Sequence, residues 1–231
     1  MVLGEVNRKI NSITARIIWR CNSSTMTKAA LELLKDMINL DKRKLIGKGL
    51  HRECYPHPEN KNLCIKVTLL ENQRETSREK KYYRHLQKRK ISWEMIPRYY
   101  GEIRTNLGLG SIFDLVLDDD GAVSKTLEYY LVSDAKTNLH VCNITKALFR
   151  LKKYLLEQRV ITMTLKPKNI VCQKKSDGNF QLSIIDNIGT SDFFPFCTYS
   201  NFWAKRKIIR KWSKFEKDLA EIYHFNSELK P

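Results

Sequence analysis

Three short stretches of this chain carry side chains suited to binding phosphate and a divalent cation. Lys66 lies inside the apolar run CIKV (64–67), and Asp186 ends the apolar run II (184–185) just before NIG (187–189). Between them comes the string LKPKN (165–169). Carboxylate oxygens are preferred ligands of Mg²⁺, and lysine is a common partner of phosphate oxygens. Taken together, these stretches are compatible with a site for phosphate and a divalent cation, as in a nucleotide-binding site.

The string IGKGLHR (46–52) adds two glycines that could form a phosphate-binding loop. Gly47 and Gly49 have no Cβ atom to keep the backbone away from phosphate oxygens. A tight hairpin between two strands explains the same two glycines equally well. Both interpretations stay open for this segment.

Glu79, with Glu75 as a second choice, is the predicted partner of Lys66. A carboxylate from the following helix would hold the lysine ammonium over the nucleotide phosphates. The alternatives are a solvated lysine on an outward strand face and a surface ion pair within a charged helix. For Asp186 the alternative is a turn in which its side chain closes the strand.

Composition limits the class of protein. The 231 residues are 42% hydrophobic and 10% aromatic, which is enough for a core and excludes wholesale disorder. A net charge of +17 favours polyanionic partners such as nucleotides, nucleic acid or lipid phosphates. Six scattered cysteines without a C-x-x-C motif predict free thiols. Neither a bilayer-spanning apolar run nor a signal peptide is apparent, so we expect a cytoplasmic protein.

Hydrophobic spacing predicts an α+β fold with strands first and helices later. Residues 1–40 are interpreted as an N-terminal extension, loosely ordered over 1–25 and helical over 26–40. A β-rich N-terminal lobe follows over 41–117, with strands near 45–49, 63–69, 98–104 and 111–117 and a helix over 71–90. A reduced, mainly helical C-terminal lobe over 118–231 contains helices at 144–159 and 201–224, a β-like segment at 160–165, and a hairpin of 170–173 with 181–185.

The string LKPKN matches the second half of the protein kinase catalytic loop, L-K-P-x-N. Together with five other segments it resembles the YrbL family of bacterial kinase-like proteins, which is named for its association with the PhoP regulatory network. The segments are GKGLHRECY (47–55), CIK (64–66), EKKYY (79–83), IPRY (96–99), TMTLKPKN (162–169) and DNIG (186–189). The resemblance extends from about residue 45 to about residue 212 and implies a protein-kinase-like fold.

The resemblance also implies roles for individual residues, with ATP and Mg²⁺ as ligands. Gly47, Gly49, Lys66 and Glu79 would bind the nucleotide phosphates, and the backbone from Asp114 to Val116 would bind adenine. Lys166 would lie near the γ-phosphate, while Asn169 and Asp186 would hold the metal.

Thr164 stands where the kinase loop has its catalytic aspartate. A threonine hydroxyl is not basic at neutral pH and cannot replace a carboxylate as general base. Phosphoryl transfer depends mainly on positioning and charge stabilisation, so weak or atypical transfer is expected. No A-P-E segment follows Asp186, which favours a small-molecule or lipid-linked acceptor over a peptide.

Two other hypotheses remain. The first is a pseudokinase that acts as a regulatory interaction module, and the second is a basic polyanion-binding protein. The stretch 203–215 interleaves basic and apolar residues, which predicts a helix with one face in the core or a helix that contacts an anionic surface such as lipid phosphate. No nucleic-acid-binding motif is recognisable.

Overall fold

The computed structural model describes residues 37–49, 51–68, 73–190 and 200–225, and its first half is dominated by a five-stranded antiparallel sheet. The strands are β1 (Gly47–Lys48), β2 (Arg52–Pro56), β3 (Leu63–Thr68), β4 (Tyr99–Thr105) and β5 (Gly108–Asp114), in the order β1-β2-β3-β5-β4. Helix α1 (Gln73–Lys88) connects β3 to β4. Sheet first and helices later is the predicted α+β arrangement, which is thereby confirmed.

The alternation of side chains along β3 gives the sheet two different faces. Cys64 packs into the larger hydrophobic core, and Lys66 lies on that same face two residues later. Ile65 and Val67 point the other way, into a smaller cluster with Tyr55. The strand therefore presents one lysine to the inner face within an otherwise apolar run.

The second half contains a three-stranded sheet among helices. In chain order, this half contains β6 (Lys125–Thr126), α2 (Leu127–Leu131), α3 (Asp134–Gln158), β7 (Ile170–Lys174), β8 (Phe180–Ile184) and α4 (Asn201–Tyr223). The β7–β8 hairpin agrees with the prediction, with Ile170 opposite Ile184. Within the described ranges, no helix is long and apolar enough to cross a membrane.

Three predicted elements differ from those observed. The helix predicted over 26–40 does not extend to 37–40, where Ile38 forms a bridge to Thr105 and Leu40 is buried against the sheet; the remainder of that prediction and the extension 1–25 lie outside the described residues. Helix α3 starts ten residues before the predicted helix because its first turns are polar and lack an apolar period. The segment 160–165 makes one isolated bridge rather than a strand.

The two halves share one hydrophobic core. Tyr83 of α1 and Phe113 of β5 belong to the same buried cluster as Leu148 of α3. The Tyr82 hydroxyl accepts a hydrogen bond from Ile161 N at 2.9 Å and donates one to the carbonyl of Arg159 at 3.4 Å. These contacts fix the sheet of the first half against the loops of the second.

Candidate functional site

Asp186 lies at the junction of the two halves, two residues after the end of β8. Its carboxylate accepts a hydrogen bond from Asn187 N at 2.9 Å. Asn187 has a left-handed backbone with φ of 60°, a conformation that asparagine tolerates better than most residues. The turn therefore directs the Asp186 carboxylate back toward the sheet of the first half.

Lys66 reaches the same place from β3. Its side chain is buried, with 8% exposure, and its ammonium donates to the carbonyl of Ile185, next to Asp186. The ammonium also lies 4.6 Å from the ring centre of Phe113, a favourable cation–π distance. The alternative of a solvated lysine on an outward strand face is therefore excluded, and Lys66 lies at the junction.

Glu79 of α1 is almost fully buried but does not pair with Lys66. Its carboxylate accepts a hydrogen bond from Arg52, the first residue of β2. Lys66 contacts a backbone carbonyl instead, so the predicted Lys66–Glu79 pair is corrected by the structure. The physical reason is that a guanidinium offers several N–H donors in a fixed fork and can serve two carboxylates, whereas an ammonium is a single compact charge.

Arg52 also donates to Asp186, which makes it the link between the two carboxylates. Sequence reasoning assigned no role to Arg52, although it lies within the string GKGLHRECY. The register between β2 and β3 could have revealed this role. Arg52 lies two residues before Cys54, and Cys54 pairs with Lys66. Alternation then places Arg52 on the same face as Lys66.

The electrostatics of this group keep Asp186 ionised. Burial alone would raise the pKa of Asp186, but the positive charges of Arg52 and Lys66 hold that pKa below its ordinary value. Burial would likewise lower the pKa of Arg52, and the carboxylates of Glu79 and Asp186 raise it instead. The carboxylate at the predicted metal position is thus charged and has a cationic partner already.

The L-K-P-x-N string forms a short turn beside Asp186. Pro167–Asn169 is a 3-10 turn, and the carbonyl of Asn169 accepts a hydrogen bond from Ile185 N at 2.9 Å. This bond places Asn169 alongside the residue that precedes Asp186. The structure therefore brings the two predicted metal ligands together, although 17 positions separate them in the sequence.

Thr164 is exposed and lies against the same turn. Its hydroxyl accepts a hydrogen bond from Asn187 Nδ2 at 2.8 Å, and Met163 N donates to the Asn187 carbonyl at 2.8 Å. Lys166 is also exposed. The predicted base position therefore carries a hydroxyl held against the turn at Asn187, with the exposed Lys166 two residues later along the loop.

Gly47 and Gly49 lie in the β1–β2 hairpin, where Gly49 N donates to the Arg52 carbonyl at 2.8 Å. A Cβ atom added at Gly47 would meet nothing within 4 Å. A Cβ atom at Gly49 would meet only the carbonyl of Arg52, at 3.5 Å. The hairpin interpretation is therefore realised, and the space beside Gly47 is open.

Asp114 and Val116 lie where the chain leaves β5. The Asp114 carboxylate accepts hydrogen bonds from Arg98 N at 2.8 Å and Tyr100 Oη at 2.7 Å, on the face opposite Phe113. The carbonyl of Val116 accepts one from Ser124 N at 3.2 Å. The Asp114 side chain thus points away from Lys66, which leaves only the backbone of this segment for the predicted adenine contact.

The donor set suits a magnesium ion that is bound together with phosphate. Among the described residues, no cluster of three or more His, Cys, Asp or Glu side chains could hold a metal by itself. Mg²⁺ typically takes one or two protein oxygens and completes its coordination with water and substrate phosphates. The Asp186 carboxylate and the neighbouring Asn169 fit that requirement, with one Asp186 oxygen shared with Arg52.

A strand lysine, a turn L-K-P-x-N and an aspartate after a strand, meeting between a β-sheet and a helical half, define a protein-kinase-like fold. In agreement, the chain resembles a solved crystal structure of a kinase domain with a TM-score of 0.53, covering 78% of this chain and 62% of that chain. The sequence identity is 17%, so this similarity concerns the fold.

The particular family follows from the sequence. Residues 38–220 match the family described as PhoP regulatory network protein YrbL, and the chain belongs to this family. The uncharacterized YrbL proteins of Escherichia coli (strain K12) and Shigella flexneri are each 36% identical over 198 residues. Each alignment covers 84% of this chain and 94% of the relative.

Proposed function

We propose that this chain binds ATP together with Mg²⁺ at the junction and transfers a phosphoryl group weakly or in an atypical way. The observation that carries the proposal is the meeting of Lys66, Asn169 and Asp186 at one point, from three separate parts of the sequence. Ionisable groups with a shifted pKa, such as Asp186, cluster at functional sites.

Each residue has a distinct part in this proposal. Lys66 and the open backbone at Gly47 and Gly49 bind nucleotide phosphates, while Asn169 and Asp186 supply oxygens for the metal. The metal would neutralise phosphate charge when bound. The exposed Lys166 lies on the same loop as Thr164 and would face the transferred group.

The acceptor is a small or lipid-linked molecule in this proposal. Thr164 offers a hydroxyl that cannot act as a general base, so an acceptor that ionises readily is favoured.

A reducing location such as the cytoplasm is part of the proposal. It is supported by the free thiols of Cys54, Cys64, Cys142 and Cys172.

A pseudokinase role is the second candidate, and Arg52 is the observation that favours it. Arg52 neutralises Asp186 without a metal, as a structural ion pair would. In that case the junction stabilises the fold, and the protein acts by binding a protein partner. The two candidates differ in whether magnesium and nucleotide bind there.

A thermal-shift experiment separates them. A ligand that binds only the folded state at about 100 times its Kd raises Tm by roughly 5–10 °C for a chain of this size. We expect such a magnesium-dependent rise with ATP for the wild type, and its loss in Lys66→Ala and Asp186→Ala. Lys61→Ala, at an exposed lysine in the β2–β3 turn, is the matched control and keeps the rise.

The absence of any magnesium-dependent shift in the wild type would sink the nucleotide proposal and favour the pseudokinase. If the shift occurs, ATP labelled at the γ- or α-phosphate then distinguishes phosphoryl from nucleotidyl transfer. If neither label appears on an acceptor, the protein binds ATP without transferring a group.

A further inference from the structure

We propose that the outer face of α4 docks on the headgroups of an anionic lipid bilayer. The outer face is defined here as Phe202, Trp203, Arg206, Ile209 and Arg210. This inference stands apart from the proposed nucleotide site, since it uses none of the residues at the junction.

The opposite face of α4 is fixed to the body of the protein. Its buried residues are Ala204, Lys207, Ile208, Trp212, Phe215 and Leu219. Trp212 Nε1 donates to Glu216 at 2.6 Å, and Glu216 forms a 3.1 Å ion pair with Lys152 of α3. The helix therefore presents its outer face in a constant orientation.

The outer face exposes large apolar side chains that do not belong to the hydrophobic core. The exposed fractions are 64% for Phe202, 49% for Trp203 and 51% for Ile209. Phe202 and Ile209 are seven residues apart, so they lie on one side of the helix two turns from each other. The rings of Phe202 and Trp203 contact each other edge to face at 5.4 Å.

Arginines lie in the same stripe as these apolar groups. Arg206 and Arg210 are both exposed and lie four residues apart, and the Arg206 guanidinium is 5.9 Å from the Trp203 ring centre. From residue 201 to residue 215 the sequence has six basic residues and no acidic one. The surface thus combines positive charge with protruding apolar groups, on a chain whose net charge is +17.

That combination matches an anionic bilayer surface. Guanidinium groups pair with lipid phosphates, and Trp and Phe partition to the boundary between headgroups and acyl chains. Single-stranded nucleic acid is the other polyanion that takes arginine with aromatic residues, but it is bound in grooves with stacking platforms. A row of apolar side chains on one convex helix, with aliphatic Ile209 in it, fits a plane of lipid better.

The test uses the full-length chain and co-sedimentation with vesicles at physiological salt. We expect binding to phosphatidylcholine vesicles with about 30% phosphatidylglycerol and none to pure phosphatidylcholine, because each basic residue near an anionic surface contributes roughly a fivefold gain. Arg206→Gln/Arg210→Gln should weaken binding about tenfold or more. Phe202→Ser/Ile209→Ser should weaken it with the charge unchanged.

The matched control is Lys81→Gln/Lys88→Gln, which removes two exposed charges from α1, with circular dichroism to check that every variant folds. Binding equal to wild type in this control, with loss in both α4 pairs, supports the proposal. Absence of vesicle binding, equal loss in control and α4 pairs, or binding to a single-stranded oligonucleotide but not to vesicles overturns it.

Discussion

Arg52 donates a hydrogen bond to the carboxylate of Asp186, although 134 positions separate the two residues along the chain. The same guanidinium serves Glu79, so one side chain ties β2 to α1 and to the turn after β8. A cation supplied by the protein thus occupies one side of the carboxylate at which a magnesium ion is predicted. Any ligand at Asp186 must share that carboxylate with Arg52 or displace it.

Arg52→Gln is therefore expected to destabilise the protein. Removing one partner of a buried ion pair typically costs about 3–5 kcal/mol, and because the Asp186 side chain retains 34% exposure we expect roughly 2–3 kcal/mol. Urea unfolding measures this loss. Magnesium should recover more stability in the variant than in the wild type, because the freed carboxylate oxygen becomes available.

Arg43→Gln is the matched control for that substitution. Arg43 pairs with Asp41 at 3.1 Å, but its side chain is 90% exposed, so little stability is at stake. Equal free energies of unfolding in the two variants would show that the bridge between Glu79 and Asp186 does not stabilise the fold.

Acid should destabilise the wild type partly through Asp186. Its pKa in the folded protein lies below the unfolded value of about 3.9, so the unfolded chain binds the proton more readily. The stabilisation is complete above that unfolded pKa and is lost as the pH falls through the lower, folded pKa. Urea unfolding from about pH 5 to about pH 2 should show a shallower loss for Asp186→Asn, and equal pH slopes would contradict the assignment.

Alanine substitutions at two glycines of the first sheet are expected to affect stability differently. A Cβ atom at Gly110 would overlap with Ile65 Cγ2, so Gly110→Ala should cost about 1–3 kcal/mol of unfolding free energy. Gly47→Ala meets nothing within 4 Å and should leave stability within about 0.5 kcal/mol. If phosphates pack on the open space at Gly47, the same variant weakens ATP binding, which calorimetry measures; unchanged affinity would argue against a phosphate loop there.

Thr164→Asp would place a carboxylate at the base position. General-base catalysis typically contributes a factor of about 10²–10⁴, so we expect phosphoryl transfer to rise within that range. Thr164→Asn is the control, since it has similar size and no basicity. If Thr164→Asp binds nucleotide normally but transfers no faster than Thr164→Asn, the site lacks more than a base.

The sequence predicted the parts of the site that are local in the chain. Lysine within an apolar strand and aspartate after one are short-range patterns, and the structure brings Lys66 and Asp186 to the same junction. The partner of Glu79 was mispredicted because it depends on register between β2 and β3. That register follows from the β2–β3 connection and from which strand face is buried, and the pattern of β3 alone does not reveal either.

The fold shows the same division. The hairpin β7–β8 and helix α4 carry strong local signals and were predicted close to their observed bounds. The start of α3 was not, because its first turns lack an apolar period, and the segment 37–40 was not, because its conformation depends on contacts with distant residues. Leu40 N, for example, donates to the side chain of Asn106 at 2.8 Å, 66 positions away.

The hydrogen bonds of the Tyr82 hydroxyl link the two halves and affect how the protein unfolds. The hydroxyl is hydrogen-bonded to the amide of Ile161 and the carbonyl of Arg159. Helix α1, which carries Tyr82, packs on the sheet of the first half. Since the larger apolar cluster spans both halves as well, we expect that neither half opens without exposing buried side chains of the other. Amides in β3 and in β8 should then exchange their hydrogens through the same global event. We therefore expect the described residues to unfold as one cooperative unit, with Lys66 and Asp186 staying together until that unit opens.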